Sequence, residues 1–344
     1  MSPAELPSDK SRPLLEWLCQ AHPNTPKKRA KQWIAAGRVS VLGTVMRHPN
    51  QRIPDPAGTL ELRGRGAVAL DCGPAGWQIH PRVNLLHLDA ALAAVNKGPG
   101  LISVPAPGCP FSALSILADF LAGRLRALER GAAGRSLPTP YRRLQPLPVH
   151  RLDQYTSGVF CLAMNPIARA RLILQLKART IRREYVAYAD GRPPHSHGTW
   201  RNWLKLSEDE SRQFILSAAQ ARLAAHQASE AITHYEVIAE FPLAAGRQVI
   251  TKLRLRLETG RKHQIRAQAA YAGLPLLGDR TYHPHYHPDA PQAPRIEFPR
   301  QALHAEVLSL EHPGQPGVRL TWRAALPQDL RRLEAELRTQ PTVP

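Results

Sequence analysis

The first part of the chain alternates short apolar clusters with basic residues, a pattern that predicts two helices and a strand. Leu14 and Leu18 recur at helical spacing, and a second helix is expected to run from Lys27 to Gly37, since glycine commonly follows the last turn of a helix. The segment 39–43 then alternates as in a strand. These elements predict a small N-terminal α/β domain.

Beyond residue 87 the hydrophobic pattern predicts a larger domain of strands and helices. One helix is expected to begin after the cap residue Ser112 and to stop at Gly131, and another begins at Pro166 after the cap residue Asn165. Apolar segments typical of strands occupy the ranges 92–95, 159–164, 184–190, 232–239, 249–257 and 303–310. Because helices interrupt the strands irregularly, the pattern favours an α+β fold with a mixed, largely antiparallel sheet.

The pattern divides the chain into four parts. We expect the small domain over residues 10–65, a linker over residues 66–86, the large domain over residues 87–330 and a C-terminal tail over residues 331–344. No repeat of fixed period occurs in the sequence, which excludes a solenoid or a propeller.

The composition is that of a globular protein with a strong positive charge. The chain carries 46 Lys and Arg against 27 Asp and Glu, a net charge of +19, which points to a polyanionic partner, nucleic acid first and an anionic membrane surface second. Hydrophobic residues make up 43% of the chain, so global disorder is excluded. Residues 1–12 lack the apolar core of a signal peptide, and proline breaks the longest uncharged run, 98–118. We therefore expect a soluble cytoplasmic protein.

The segment from His150 to Gly158 carries the strongest chemical signal. It reads His-Arg-Leu-Asp-Gln-Tyr-Thr-Ser-Gly and directly precedes a predicted buried strand, so that Asp153 lies on a loop anchored to the sheet. An isolated aspartate in such a loop most often caps a turn. A chance match in one chain to seven fixed positions of this string is rare, on the order of one in a few million at equal residue frequencies.

The string resembles the signature of the RNA pseudouridine synthases of the RluA, RluC and RluD type. Further family motifs follow in the same order: Asn96-Lys97-x-x-Gly100, Arg183-Glu184-Tyr185 with Gly191, Leu257-x-Thr259-Gly260-Arg261-x-His263-Gln264-Ile265-Arg266, Gly278-Asp279-x-x-Tyr282 and Leu303-His304-Ala305. The resemblance covers about residues 85–327. It implies the pseudouridine synthase fold and the isomerisation of uridine within RNA, in which the bond from N1 to the sugar is cut and C5 is joined to the same sugar carbon.

The resemblance also implies roles for individual residues. Asp153 is expected to attack or stabilise the sugar carbon, as the nucleophile of a retaining glycosidase does. Arg266 is expected beside it, because an adjacent guanidinium keeps a carboxylate ionised. Tyr185 is expected to stack on the uracil and to remove a proton late in the reaction. Whether the carboxylate attacks the sugar carbon, attacks C6 of the ring or assists a glycal-forming elimination stays open, and the sugar-side routes are favoured.

Further residues of the same motifs are expected at the substrate. The uridine must leave its stack, and Arg151 is expected to fill the vacated space or to grip the backbone. We also place His150, Arg261, His263 and Gln264 next to the RNA. Of these, His263 and Gln264 are better suited to bracing their loop than to chemistry.

The N-terminal domain resembles the small RNA-binding domain named after ribosomal protein S-four. The basic helix, its glycine stop and the segment Val39-x-Val41-x-Gly43 carry this likeness. Residues 10–65 contain eleven Lys or Arg against three Asp or Glu, which suits contacts with phosphates. The residues expected to contact RNA are Lys28, Arg29 and Lys31, and the alternative is that they form a solvated helix face.

These features predict an RNA pseudouridine synthase that acts as a monomer and needs neither a metal nor another cofactor. Ribosomal RNA is the favoured substrate, because family members with the extra N-terminal domain tend to modify large-subunit ribosomal RNA, and transfer RNA is the alternative. Two other hypotheses stay open: a non-catalytic RNA-binding or ribosome-assembly factor with the same fold, and an unrelated hydrolase that uses Asp153 with His150. The presence of Asp153, Tyr185 and Arg266 argues against decay of the site.

Overall fold

The computed structural model describes most of the chain, which divides into two compact units. The described residues are 11–35, 38–41, 44–56, 60–62, 70, 72, 76–128, 141, 144–223, 227–243, 248–287, 289–290 and 296–339. The N-terminal unit comprises Met1–Leu70 and the C-terminal unit Asp71–Pro344. Within the described ranges, no helix is both long and apolar enough to cross a membrane.

The N-terminal unit contains a pair of helices and a small sheet. Its elements are β1 (Arg12–Pro13), α1 (Leu14–Ala21), α2 (Lys27–Ala35), β2 (Val39–Val41), β3 (Thr44–Met46), β4 (Arg52–Ile53) and β5 (Leu60–Leu62). Strand β2 lies between β3 and β5 in an antiparallel sheet, and β1 pairs with β4. Leu14 and Leu18 of α1 share a core with Ala30 and Ile34 of α2, because each pair lies on one face of its helix. The expected helix stop, Gly37, lies outside the described residues.

The C-terminal unit contains the longer elements. Its helices are α3 (Ala113–Leu121), α4 (Pro166–Lys177), α5 (Ala218–Leu223), α6 (Gln264–Tyr271) and α7 (Gln328–Thr339). Its strands are β6 (Trp77–His80), β7 (Val83–Leu88), β8 (Leu92–Lys97), β9 (Leu147–Pro148), β10 (Ser157–Ala163), β11 (Arg182–Asp190), β12 (His197–Leu206), β13 (Gln213–Leu216), β14 (Ala228–Leu243), β15 (Gln248–Leu257), β16 (Leu303–Glu311) and β17 (Arg319–Arg323). The strands predicted from the apolar segments are all present among them.

A twelve-stranded sheet forms the frame of the C-terminal unit. Its strands follow the order β13-β12-β14-β15-β11-β16-β10-β8-β7-β6, with β17 attached to β16 and β9 to β10. In the described chain, β10 and β16 pair in parallel, and every other pair of this sheet is antiparallel. The predicted α+β fold with a mixed, largely antiparallel sheet is therefore confirmed. Strand β10 is buried along its whole length, as expected for an apolar run at the centre of a sheet.

The linker predicted over residues 66–86 is wrong for its second half, which belongs to the sheet. Strands β6 and β7 pair as an antiparallel hairpin, and β7 also pairs with β8. Trp77 and Ile79 of β6 and Val83 and Leu85 of β7 are buried, whereas the residues between them are only partly buried. These alternating runs are too short to stand out from a segment of mixed composition.

The prediction of a C-terminal tail from residue 331 is also wrong, because the chain up to Thr339 belongs to helix α7. Helix α7 packs on the sheet through leucines at i, i+3 and i+7 spacing, which are Leu330, Leu333 and Leu337. The Tyr188 hydroxyl of β11 donates a hydrogen bond of 2.7 Å to Glu334 of this helix. The apolar face of α7 is narrow and is interleaved with Arg and Glu. The sequence pattern therefore indicates a polar segment, although the helix covers part of the core. Residues 340–344 lie outside the described residues.

Helix α3 begins where its cap predicted but ends earlier. The Ser112 hydroxyl accepts a hydrogen bond from the Ser115 amide, and the Ser115 hydroxyl accepts one from the Ser112 amide. The helix stops at Leu121 and not at Gly131, because Gly123 adopts a left-handed φ of +76° just beyond its last turn. Gly131 itself lies outside the described residues.

Gly158 lies where the parallel strands meet the loop that carries Asp153. Its φ is +117°, a conformation that L side chains rarely adopt, and a Cβ there would lie 2.1 Å from the Ala305 carbonyl oxygen of β16. Because that oxygen belongs to the backbone of the paired strand, no change of rotamer relieves the clash.

We expect Gly158→Ala to lower the free energy of unfolding by at least about 3 kcal/mol, since it combines a strained φ with a backbone collision. Gly123→Ala is the matched control, because its φ is also left-handed but nothing lies within 4 Å of the added Cβ. The control should cost about 1 kcal/mol. Urea unfolding followed by tryptophan fluorescence compares both variants with the wild type. Equal losses in the two variants would mean that β10 and β16 separate easily enough to admit a methyl group.

Candidate active site

The loop that carries Asp153 is held on both sides by buried polar groups. The Ser103 hydroxyl donates to the Leu152 carbonyl at 2.9 Å and accepts from the Leu152 amide at 3.0 Å. The fully buried Lys97 side chain donates to the Gln154 carbonyl at 3.0 Å, and burial lowers the pKa of Lys97 to about 7. The backbone around Asp153 is thereby fixed before any substrate binds, which favours a preorganised site.

Arg266 of α6 presents one nitrogen to Asp153 and binds other groups through the rest of its guanidinium. Its Nη1 lies 3.3 Å from Asp153 Oδ2. Its Nε and Nη2 donate to the two carboxylate oxygens of Asp279 at 2.7 and 2.8 Å, and Nη2 also donates to the Thr281 hydroxyl at 3.0 Å. Burial disfavours the charged guanidinium, but the two carboxylates outweigh it and raise the pKa of Arg266. Arg266 is therefore a fixed cation beside Asp153, in the place that the sequence predicts.

A hydrogen-bonded turn before α6 sets the direction of this helix. The Oε1 of the buried Gln264 accepts from the Thr259 hydroxyl at 2.8 Å and from the Arg261 amide at 3.0 Å. Its Nε2 donates to the Ile232 carbonyl of β14 at 3.1 Å. His263 caps the helix in a left-handed conformation, with φ of +51°. Gln264 therefore braces the turn, since both ends of its amide are engaged by protein groups.

The two histidines of the predicted site are neutral and make different contacts. His150 Nε2 accepts from the Cys161 amide at 3.1 Å, and burial lowers the pKa of His150 to about 3. His263 Nδ1 lies 3.2 Å from the Tyr282 hydroxyl, and its Nε2 lies 3.9 Å from Asp153 Oδ2. Burial lowers the pKa of His263 to about 4, so its contact with Asp153 is not an ion pair at neutral pH. His150 ties the loop to β10, whereas His263 borders the carboxylate.

Tyr185 of β11 borders the same cavity as Asp153. The residue is 7% exposed, and burial raises the pKa of its hydroxyl, while the charge of nearby Arg183 acts in the opposite direction. The cavity has a volume of about 510 Å³, within the range of sites for small molecules or single nucleosides. The predicted site residues that line it are His150, Arg151, Asp153, Tyr185, Arg261, His263, Gln264 and Arg266.

The predicted basic residues differ in the contacts that they already make. Arg151 is exposed at the cavity and makes no hydrogen bond through its guanidinium to the described part of the chain. Arg261 is also exposed, but its Nε donates to the Glu230 carbonyl at 3.2 Å. In the N-terminal unit, the exposed surface of α2 contains Lys28, Arg29 and Lys31.

The site includes residues to which the sequence assigned no role. Asp279, which binds Arg266, is fully buried, and its Oδ1 also accepts from the Thr281 and Tyr282 amides at 3.0 and 3.2 Å. Asp279 and Lys97 both stand in family motifs, which is the signal that points to them, but their partners lie 13 and 57 residues away. Among the described residues, no group of three or more His, Cys, Asp or Glu is placed to hold a metal ion.

Comparisons with known proteins identify the class to which this fold and site belong. The family model of the RNA pseudouridylate synthases matches residues 91–271, a range that contains Asp153, Tyr185 and Arg266. The solved structure of human RNA pseudouridylate synthase domain containing 4 superimposes with a TM-score of 0.52 at 21% identity, over 74% of this chain and 92% of that chain, which shows a common fold. Fold and family match define an RNA-modifying enzyme.

Two bacterial relatives extend the likeness over almost the whole chain. Ribosomal large subunit pseudouridine synthase D of Yersinia pestis is 31% identical over 328 residues, which cover 91% of this chain and 87% of the relative. The uncharacterised RNA pseudouridine synthase YlyB of Bacillus subtilis is 29% identical over 329 residues, 96% of this chain and 95% of the relative. The chain belongs to the RNA pseudouridylate synthase family, and its activity is the isomerisation of uridine in RNA. The hypothesis of an unrelated hydrolase is thereby wrong.

Proposed function

We propose that this enzyme forms pseudouridine in ribosomal RNA, with Asp153 as the group that acts on the sugar. Relatives in Yersinia pestis and Escherichia coli carry the name ribosomal large subunit pseudouridine synthase D, which supports a ribosomal substrate. The net charge of +19 suits a large structured RNA. Transfer RNA stays the alternative substrate, and the monomeric state and the cytoplasmic location stay predictions.

One arrangement carries the catalytic part of this proposal. Asp153 lies 3.3 Å from the guanidinium of Arg266, which the buried Asp279 holds in place, and both Asp153 and Arg266 line the cavity that Tyr185 borders. A carboxylate kept ionised in a fixed position is what displacement at a sugar carbon requires. The guanidinium at 3.3 Å holds the Asp153 carboxylate in place, which supports a role as a nucleophile or a base.

Two sugar-side routes are compatible with this carboxylate. In the first, an Asp153 oxygen bonds to C1′ as the C1′–N1 bond breaks. In the second, Asp153 takes the C2′ proton and a glycal forms. In both, the uracil keeps the bonding electron pair, leaves as an anion and turns before C5 bonds to C1′. The carboxylate is then released, or its proton returns to C2′, while C5 loses a proton and N1 gains one.

Tyr185 suits stacking on the uracil better than it suits proton abstraction. A buried aromatic ring offers a flat apolar face, and stacking requires no change of ionisation. To act as a base, the hydroxyl must first lose its own proton, which burial opposes because it raises the pKa of Tyr185. We therefore assign Tyr185 the stacking role first and the late proton transfer second.

Arg151 suits the step in which the uridine leaves its stack. Its guanidinium is exposed at the cavity, two residues from Asp153, and has no hydrogen-bond partner in the described part of the chain. A planar cation in this position stacks on the remaining bases or binds the backbone once the uridine has turned out.

The basic helix α2 is proposed to add affinity for RNA. Neutralising its exposed cations with Lys28→Gln, Arg29→Gln and Lys31→Gln in one variant is expected to reduce the slope of log K against log salt by about 2 to 3, because fewer counterions are released on binding. Filter binding of a ribosomal RNA fragment at several salt concentrations measures this slope. The control carries Arg319→Gln, Arg323→Gln and Arg331→Gln, which removes three exposed cations of the C-terminal unit. Identical slopes for the α2 variant and the wild type would mean that α2 contacts no phosphates.

The substrate is tested by mapping pseudouridine in total RNA from cells with and without the gene. We expect one or more positions of large-subunit ribosomal RNA to lose pseudouridine and to regain it with the wild-type gene but not with Asp153→Asn. Losses confined to transfer RNA would establish the alternative substrate. An unchanged map in every RNA would contradict the proposed function.

A further inference from the structure

Arg183 of β11 is a buried cation without a carboxylate partner. The residue is 7% exposed, and no acidic side chain of the described residues forms an ion pair with it. Its Nη2 donates to the main-chain carbonyl of Glu258 at 3.1 Å, and its Nε has no hydrogen-bond partner in the described structure. Its Nη1 lies against Gly260, where a Cβ would come within 2.4 Å of it.

The position of Arg183 connects it to the cavity of the active site. Arg183 lines this cavity together with Asp153 and Tyr185. The carboxylate of Glu258 is not available to it, because that group binds Arg179 at 3.0 Å and His234 at 2.6 Å.

A buried guanidinium that lacks an anion costs free energy, and such groups are rare unless a ligand completes them. The substrate offers two anions, the phosphates of the RNA backbone and the uracil after it has left the sugar. Phosphates are most accessible to exposed cations at the cavity, which include Arg151, Lys177 and Arg261. Arg183 is only 7% exposed, so it is better placed to contact the group that enters the cavity, which is the flipped base.

We propose that Arg183 stabilises the uracil anion that leaves the sugar during isomerisation, an inference that rests on the proposed sugar-side chemistry. When the C1′–N1 bond breaks, the electron pair stays on the uracil, and its charge spreads over N1, O2 and O4. The guanidinium of Arg183, a residue that lines this cavity, donates to one of these oxygens. This hydrogen bond strengthens as negative charge develops on the uracil, so it lowers the barrier and does not simply tighten binding. When C5 bonds to the sugar and N1 takes up a proton, the charge disappears and the product is released.

The test compares substrates whose uracil stabilises negative charge to different extents. We expect Arg183→Met to lower the single-turnover rate on uridine-containing RNA on the order of 100-fold, as loss of one donor to a developing anion does. The same substitution should cost about tenfold or less when the target is 5-fluorouridine, because fluorine itself stabilises the departing anion. Chromatography of the digested RNA, with enzyme in excess, measures how fast the target nucleoside disappears. Uridine becomes pseudouridine, whereas C5 of 5-fluorouracil has no proton to lose once it bonds to the sugar, so that product takes up water at C6 instead.

Two further variants separate a chemical role from a structural one. Arg254→Met is the matched control, because Arg254 on the neighbouring strand β15 binds Glu236 at 2.7 Å with both side chains exposed, and it should leave both rates unchanged. Arg183→Lys retains the charge and should recover at least part of the rate on uridine. Equal losses on the two substrates would overturn the proposal and leave Arg183 as a support of the fold. Weaker RNA binding with an unchanged single-turnover rate would overturn it in favour of a phosphate contact. Inactivity of the wild type on every RNA would contradict the proposed function itself.

Discussion

Asp153→Asn is expected to lower pseudouridine formation at least about 10,000-fold, the largest loss for any single substitution in this enzyme. An amide has the same size as the carboxylate but neither bonds to a sugar carbon nor takes up a proton. Arg266 should stay in place, since Asp279 binds its Nε and Nη2 independently of Asp153. The loss should therefore be chemical and not structural.

Release of tritium from RNA labelled at C5 of uridine measures this loss, because C5 gives up its hydrogen when it bonds to the sugar. Thermal unfolding and RNA binding of Asp153→Asn should match the wild type. Asp119→Asn is a suitable control, since Asp119 lies on the surface and binds the exposed Arg124. Tritium release by Asp153→Asn at the wild-type rate would remove Asp153 from the mechanism.

Arg266→Met is expected to lower the rate on the order of 1,000-fold and to lower the free energy of unfolding by about 3 to 5 kcal/mol. The two losses have different causes. The rate falls because Asp153 loses the cation at 3.3 Å. Stability falls because the carboxylate of Asp279, which is fully buried, loses the guanidinium that compensates it. Single-turnover kinetics and urea unfolding measure the two effects on the same protein.

A double variant separates these causes. Combining Arg266→Met with Asp279→Asn removes the buried charge together with its partner, so stability should recover while the rate stays low. Asp279→Asn alone should reduce the rate by about tenfold to 100-fold, because Arg266 keeps its charge but loses its fixed position. Recovery of the rate in the double variant would show that Arg266 acts on the fold and not on Asp153.

The elements at the centre of the fold can largely be predicted from the sequence, whereas the elements at its edges cannot. Strand β10 reads as one apolar run, and the helix that follows carries both its Asn165 cap and Pro166 in its first turn. Strands β12 and β13 lie at one end of the sheet and are half exposed, so they lack a continuous apolar signal. The sequence pattern does not predict helix α7, for a related reason. Its three leucines are interleaved with charged residues, so the apolar face becomes evident only once the helix packs on the sheet.

The candidate site can likewise be predicted from the sequence only in part. Asp153, Tyr185 and Arg266 were predicted from motifs, and the structure brings them to one cavity. The motifs did not predict which group would hold Arg266, because Asp279 becomes its partner only through the turn that follows α6. Arg183 was matched as a basic position, but its lack of a carboxylate partner depends on burial and on neighbours from other strands.

The pairing of β10 with β16 also makes the support of the Asp153 loop depend on a distant part of the chain. Ser157 contacts His304, 147 residues further along the chain, and Gly158 fits against Ala305. Because β16 follows β10 by more than a hundred residues, a chain synthesised only as far as residue 302 lacks the strand that supports the loop with Asp153. A chain that ends before β16 is therefore expected to be inactive even when Asp153, Tyr185 and Arg266 are all present.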